Sequence, residues 1–139
     1  MAETSSILKF IPICYSMNDE SDPYFIKILV PKNESLWRRI AESQIVKLEI
    51  GTYRPSSAAF KGIDISVDIA SKSTPERSIK TSSGLAGFLA KVPITLGYQV
   101  IENPIPENPA HAIIKGKIRR GHARTIAKAC QWVIEPRFT

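Results

Sequence analysis

The sequence predicts a single α+β domain, with a mixed or antiparallel sheet and two to three helices that include an amphipathic C-terminal one. Three observations carry this. Strand-like and helix-like segments follow one another irregularly, without the steady alternation of a doubly wound fold. Ile63 to Ala70 alternates Ile63, Ile65, Val67 and Ile69 with Asp64, Ser66 and Asp68, the period of a half-buried strand. Near the C-terminus, Ala123, Ile126, Ala127 and Cys130 recur at helical spacing. A chain of 139 residues, 43% apolar and 23% charged, suits one core and is too apolar for intrinsic disorder.

The elements follow in order. Residues 1–6 are polar and terminal and are expected to be flexible, leaving residues 7–139 as the domain. Ile7 to Tyr15 and Tyr24 to Val30 read as strands that pair across the turn-rich stretch Ser16 to Pro23. Ser35 to Ile40 and Ser43 to Ile50 read as further strands, the second stopped by Gly51. Thr74-Pro75-Glu76 opens a short helix: Thr74 caps, Pro75 takes the first turn and Glu76 meets the positive end of the dipole. Leu85, Phe88, Leu89 and Val92 have the spacing of a helix face, ended by Pro93. Tyr98 to Ile101 is a strand, and Asn103 to Pro109 is a stiff extended connector because its prolines fix φ. Ala110 to Lys115 is the last strand, stopped by Gly116, and Arg119 to Glu135 the last helix.

Charge narrows the function classes. The net charge is +6, and residues 103–139 hold 7 basic against 2 acidic groups while residues 1–36 hold 3 against 5. The C-terminal quarter is therefore the electropositive end. On the predicted last helix Arg120, Arg124 and Lys128 stack at i, i+4 and i+8 opposite the apolar stripe, an arrangement that repels itself by a few tenths of a kcal/mol per pair unless an anion compensates. Lys115, Lys117 and Arg119 extend the patch, and Trp132, projecting toward it, is a candidate to stack on a base. Such a surface attracts nucleic acid or an acidic protein.

Chemistry is harder to find. His111 and His122 lack the partners of a metal motif, and Cys14 and Cys130 are isolated, so reduced core thiols are expected and neither a metal nor a cofactor is called for. Asp64 and Asp68, four residues apart on one strand, stand about 13 Å from each other and form no carboxylate dyad. Arg54-Pro55-Ser56-Ser57-Ala58-Ala59-Phe60-Lys61 combines small residues with bases, a composition that suits an anion or a tight turn. There is neither a G-x-S-x-G elbow nor a glycine-rich phosphate loop. The charge-free run Phe10 to Asn18 is too short to span a membrane and lacks a signal peptide's basic start, so a cytoplasmic protein with no membrane partner is expected.

Leu36-Trp37-Arg38-Arg39-Ile40, Arg54 to Lys61 and Asn108-Pro109-Ala110-His111-Ala112 together resemble a group of small bacterial proteins, a likeness spanning residues 36–134 that implies a prokaryotic origin and no particular activity. A fainter likeness is to ADP-ribosyltransferase and RES-type folds, which consume NAD. That likeness implies Arg38 or Arg39 and Ser56 or Ser57 at the ligand; His111, at the start of a strand, reads as a buried, hydrogen-bonded histidine and apart from the likeness is a further catalytic candidate. The glutamate such folds use has no clear counterpart, since Glu102 and Glu107 lie at or in the proline-rich segment. The expectation is thus a non-catalytic basic domain engaging an anionic partner. The alternatives are a small NAD-processing enzyme or a structural subunit of a larger complex.

Overall fold

In the computed structural model, which describes residues 27–49 and 51–138, eight strands and three short helices follow one another. The strands are β1 (Ser35–Ile40), β2 (Ile45–Lys47), β3 (Tyr53–Pro55), β4 (Gly62–Ile69), β5 (Gly84–Leu89), β6 (Gln99–Glu102), β7 (His111–Ile118) and β8 (Gln131–Ile134). The helices are α1 (Pro75–Ile79), α2 (Lys91–Thr95) and α3 (Arg120–Ala129). Six strands make one sheet in the order β6-β7-β4-β1-β5-β8 with every neighbouring pair antiparallel, and β2 with β3 forms a separate two-stranded ribbon. The fold is α+β.

Register sorts the side chains between the two faces of the sheet. Leu36 pairs with Ile69 and Phe88, Val67 with Ala112, and Ile65 with Ile114, so these lie together on one face. That face is the core: α3 closes it with Ala123, Ile126 and Ala127, and the 3-10 turn Ser57–Phe60 adds Ala59 and Phe60, all buried. Phe60 meets Phe88 edge to face at 5.6 Å, and its full burial stabilises the fold by about 2–3 kcal/mol. The opposite face carries Trp37, Arg39, Ser66, Asp68, Leu85, His111 and Ile113.

Several elements depart from the sequence reading. Residues 85–92 are not a helix. Gly84–Leu89 is strand β5, held between β1 and β8, with Leu85 on one face and Phe88 on the other. A strand buried on both faces is a continuous apolar run, which periodicity cannot tell from a buried helix. Pro93 is not a stop either: it sits in the first turn of α2, where its missing N–H is not needed. Of the strand expected over Ser43 to Ile50, Ser43 and Gln44 belong to the 3-10 turn Glu42–Gln44 and Ile45–Lys47 form β2. Gly116 does not end its strand but lies within β7 at φ +103°.

The connector at Asn103 to Pro109 folds back on itself. Ile105 and Asn108 exchange backbone bonds of 3.2 and 2.9 Å around Pro106, whose fixed φ suits the corner of a turn. The last helix ends at Ala129, and Trp132 with its β-branched neighbours Val133 and Ile134 joins β5 as β8. Ile63 breaks the alternation of β4. A bulge with Asp64 at φ +52° turns it outward, 69% exposed. The strand expected at Ile7 to Tyr15, and the hairpin built on it, lie outside the described residues. At the end of the second expected strand, Leu29 forms an isolated bridge to Ile101 beside β6.

Candidate functional site

α3 places the basic groups. Its inward stripe is Ala123, Ile126 and Ala127, so the helical period leaves Arg120, Arg124 and Lys128 exposed on the other side. Arg119 precedes the helix and Lys117 ends β7 nearby, both exposed. Gly62 pairs with Ile118, which brings exposed Lys61 alongside this group. Among the described residues none of these six cations stands within ion-pair distance of a carboxylate. Lys115 is different, because its Nζ lies 3.6 Å from Asp64. The first turn of α3 contains no acidic residue, so two arginines sit at the positive end of the helix dipole, where cations are unfavourable.

Trp132 does not belong to this surface. With the helix ending at Ala129, its ring packs against the core, and Nε1 donates to the Tyr53 carbonyl at 2.9 Å. Half-buried, it ties β8 to the β2–β3 ribbon through that bond. Cys130 lies just past the helix, its thiol donating to the Ile126 carbonyl at 3.3 Å. Burial pushes this thiol up to about 12.

The second face of the sheet holds a polar network. Asp68, 3% exposed, accepts from Ser78 Oγ at 2.6 Å and Asn108 Nδ2 at 2.8 Å, and Arg39 Nη1 stands 3.4 Å away. Arg39 Nη1 also donates to the Ser78 carbonyl at 2.9 Å. Two residues back along β4, Ser66 Oγ lies 3.1 Å from His111 Nε2, while His111 Nδ1 lies 2.8 Å from the Asn103 carbonyl. Asp68 is therefore a buried anchor, not a member of a solvated strand face.

Arg38 and Arg39, adjacent in sequence, point to opposite faces. Arg38 is largely buried on the core side, Nε donating to the Ala59 carbonyl at 2.9 Å and Nη1 to the Ser66 carbonyl at 2.7 Å. Desolvation first, then the neighbouring charge of Arg39, lowers its pKa, and its acceptors among the described residues are these backbone carbonyls. Ser56 Oγ caps the 3-10 turn by accepting from Ala58 N–H at 3.0 Å, and Ser57 begins that turn. The sheet thus divides the residues suggested for NAD: Arg38 lies toward Ser56 and Ser57, whereas Arg39 and His111 share the other side. Glu102 makes a surface pair with Lys72 at 3.1 Å.

Sequence does not single out Ser66 or Ser78, and it names Lys61 only as a base of the Arg54 to Lys61 stretch, apart from the surface around α3. The signal for Ser66 was its place on the face of β4 that also bears Asp68, and for Lys61 its position beside the glycine that opens that strand. Among the described residues no three His, Cys, Asp or Glu side chains gather as a metal would require, and no helix is long and apolar enough to cross a membrane.

These features define an α+β protein with an antiparallel six-stranded sheet, a basic helical surface at one end and a buried polar network on the far face. Comparison with protein-family models, curated proteins and solved structures finds no match.

Proposed function

We propose that this chain binds nucleic acid through the basic surface around α3. The observation that carries the reading is the row Arg120, Arg124 and Lys128, exposed and without a carboxylate partner among the described residues. Like charges one turn apart destabilise a helix, and two arginines at its positive end add to that cost. Phosphates relieve both. The row spans about 12 Å at 1.5 Å per residue, alongside which a duplex presents one charge per ~1.7 Å.

Binding of this kind is dominated by phosphate contacts and carries little base specificity, since among the described residues no exposed aromatic side chain lies in the row of cations. The test is fluorescence anisotropy of labelled duplex and single-stranded DNA and RNA at low salt. The wild type is expected to bind, and Arg120→Ala/Arg124→Ala/Lys128→Ala to bind at least ~10-fold more weakly with a melting temperature no lower than the wild type's, since the repulsion along the row is removed. No binding by the wild type, or equal binding by the triple variant, contradicts the reading. An acidic polypeptide such as polyglutamate serves as the competing ligand. If it alone bound, the surface would be a protein-docking one.

A further inference from the structure

We propose that Ser66 and His111 form a nucleophile–base pair that cleaves a carboxylic ester on the sheet face opposite α3. This goes beyond nucleic-acid binding and does not depend on it. The arrangement that identifies an activated serine is a hydroxyl within hydrogen-bond reach of an imidazole that a third group orients. All three are present. His111 Nδ1 lies 2.8 Å from the Asn103 carbonyl oxygen, and Nε2 lies 3.1 Å from Ser66 Oγ.

The roles follow from the acceptor. A carbonyl oxygen cannot donate, so Nδ1 carries the hydrogen, and in the neutral ring Nε2 is left with its lone pair. The Ser66 hydroxyl then donates to Nε2, which is the tautomer a general base needs. Asn108 fixes this geometry from the side. Its Nδ2 holds Asp68 at 2.8 Å and its Oδ1 accepts from Ala110 N–H at 3.1 Å, one residue before His111. Ser66 and His111 are both half-buried, so neither residue is sealed in the core. The other serines near this face are committed elsewhere: Ser78 Oγ donates to Asp68, and Ser73 Oγ bonds Ser78 Oγ at 2.7 Å.

In the reaction, Ser66 Oγ bonds the acyl carbon as its proton passes to His111 Nε2. The imidazolium returns that proton to the departing alkoxide, which leaves acyl-Ser66. A water molecule, deprotonated by Nε2, then bonds the acyl carbon; the bond to Ser66 Oγ breaks, the acid leaves, and the imidazolium returns its proton to Ser66 Oγ. Arg39, whose Nε and Nη2 have no partner among the described residues, places a cation on the same face for the charge that develops on the acyl oxygen.

The probe is a fluorophosphonate, which forms an Oγ–P bond with loss of fluoride, read by intact mass and peptide mapping of the full chain. One adduct is expected, at Ser66, absent from Ser66→Ala and from wild type in denaturant, and retained on replacing Ser71, an exposed serine whose hydroxyl donates to Glu34 at 2.6 Å, in Ser71→Ala. His111→Ala is expected to label about 10²-fold or more slowly, the usual share of a general base. p-Nitrophenyl acetate should be turned over with the same pattern. No adduct on the folded wild type, an adduct at another serine, or labelling that persists after denaturation overturns the proposal. The denaturation arm keeps the test decisive if His111→Ala does not fold.

Discussion

Asp68 shows what a single side chain contributes here. Its carboxylate is buried and gathers Ser78, Asn108 and Arg39, which lie 10, 40 and 29 residues away in the chain. Replacing it with alanine takes the acceptor from the buried Ser78 hydroxyl and from the Asn108 amide and the carboxylate from the partly exposed Arg39, and a buried polar group left unsatisfied costs about 1–3 kcal/mol. Asp68→Ala is therefore expected to lower the urea midpoint sharply at unchanged m-value, which equilibrium unfolding measures; a loss under ~1 kcal/mol would show that the network is slack. Cys130 makes a second prediction at this scale. Its folded pKa of about 12 exceeds the ordinary value of 9.0, so its contribution to stability is fully present below pH ~9 and is lost as pH rises through 12. Below that window the thiol should resist alkylation until the protein unfolds, as a thiol-reagent time course with and without denaturant will show. The buried thiol was legible from its place in an apolar stripe. Asp68 was not, because strand alternation names a face without naming what covers it.

β5 is the element on which local pattern and tertiary context disagree most. Its residues Gly84-Leu85-Ala86-Gly87-Phe88-Leu89 offer apolar side chains to both faces, and helical spacing between Leu85 and Phe88 is accidental. The glycines point to the true state. A Cβ built on Gly87 would stand 2.9 Å from Val133 Cγ2 and 3.2 Å from Trp37 Cδ1, and one on Gly84 2.9 Å from Trp132. These are the close approaches by which β8 and Trp37 pack on the strand. Gly87→Ala is expected to destabilise by about 1–3 kcal/mol through overpacking, read as a lowered melting temperature; unchanged stability would mean that Val133 and Trp37 move aside freely. The end of α3 was misread for a related reason. The stripe Ala123, Ile126, Ala127, Cys130 fits a helix throughout, and only the free edge of β5 explains why the chain turns extended at Cys130 and pairs Trp132 with Ala86. The row Arg120, Arg124 and Lys128 still falls within the helix that ends at Ala129, and its three side chains are exposed.

For the whole molecule, the wholly antiparallel sheet separates two surfaces of different chemistry: an exposed basic one at α3 and a half-buried polar one around Ser66, Asp68 and His111. The α+β class was legible from the irregular order of elements, and the basic end from the count of charges. The arrangement of possible reactive groups was not, since adjacent Arg38 and Arg39 diverge across the sheet while Asn108, His111 and Ser66 converge through strand pairing at long range. The central claim concerns the basic surface, and salt dependence tests it most directly. Each phosphate contact contributes about −0.9 to the slope of log K against log salt. If Arg120, Arg124 and Lys128 each engage one phosphate, the wild-type slope on duplex DNA should be steeper than that of the triple alanine variant by about 2.7. Parallel lines for the two proteins would contradict the account.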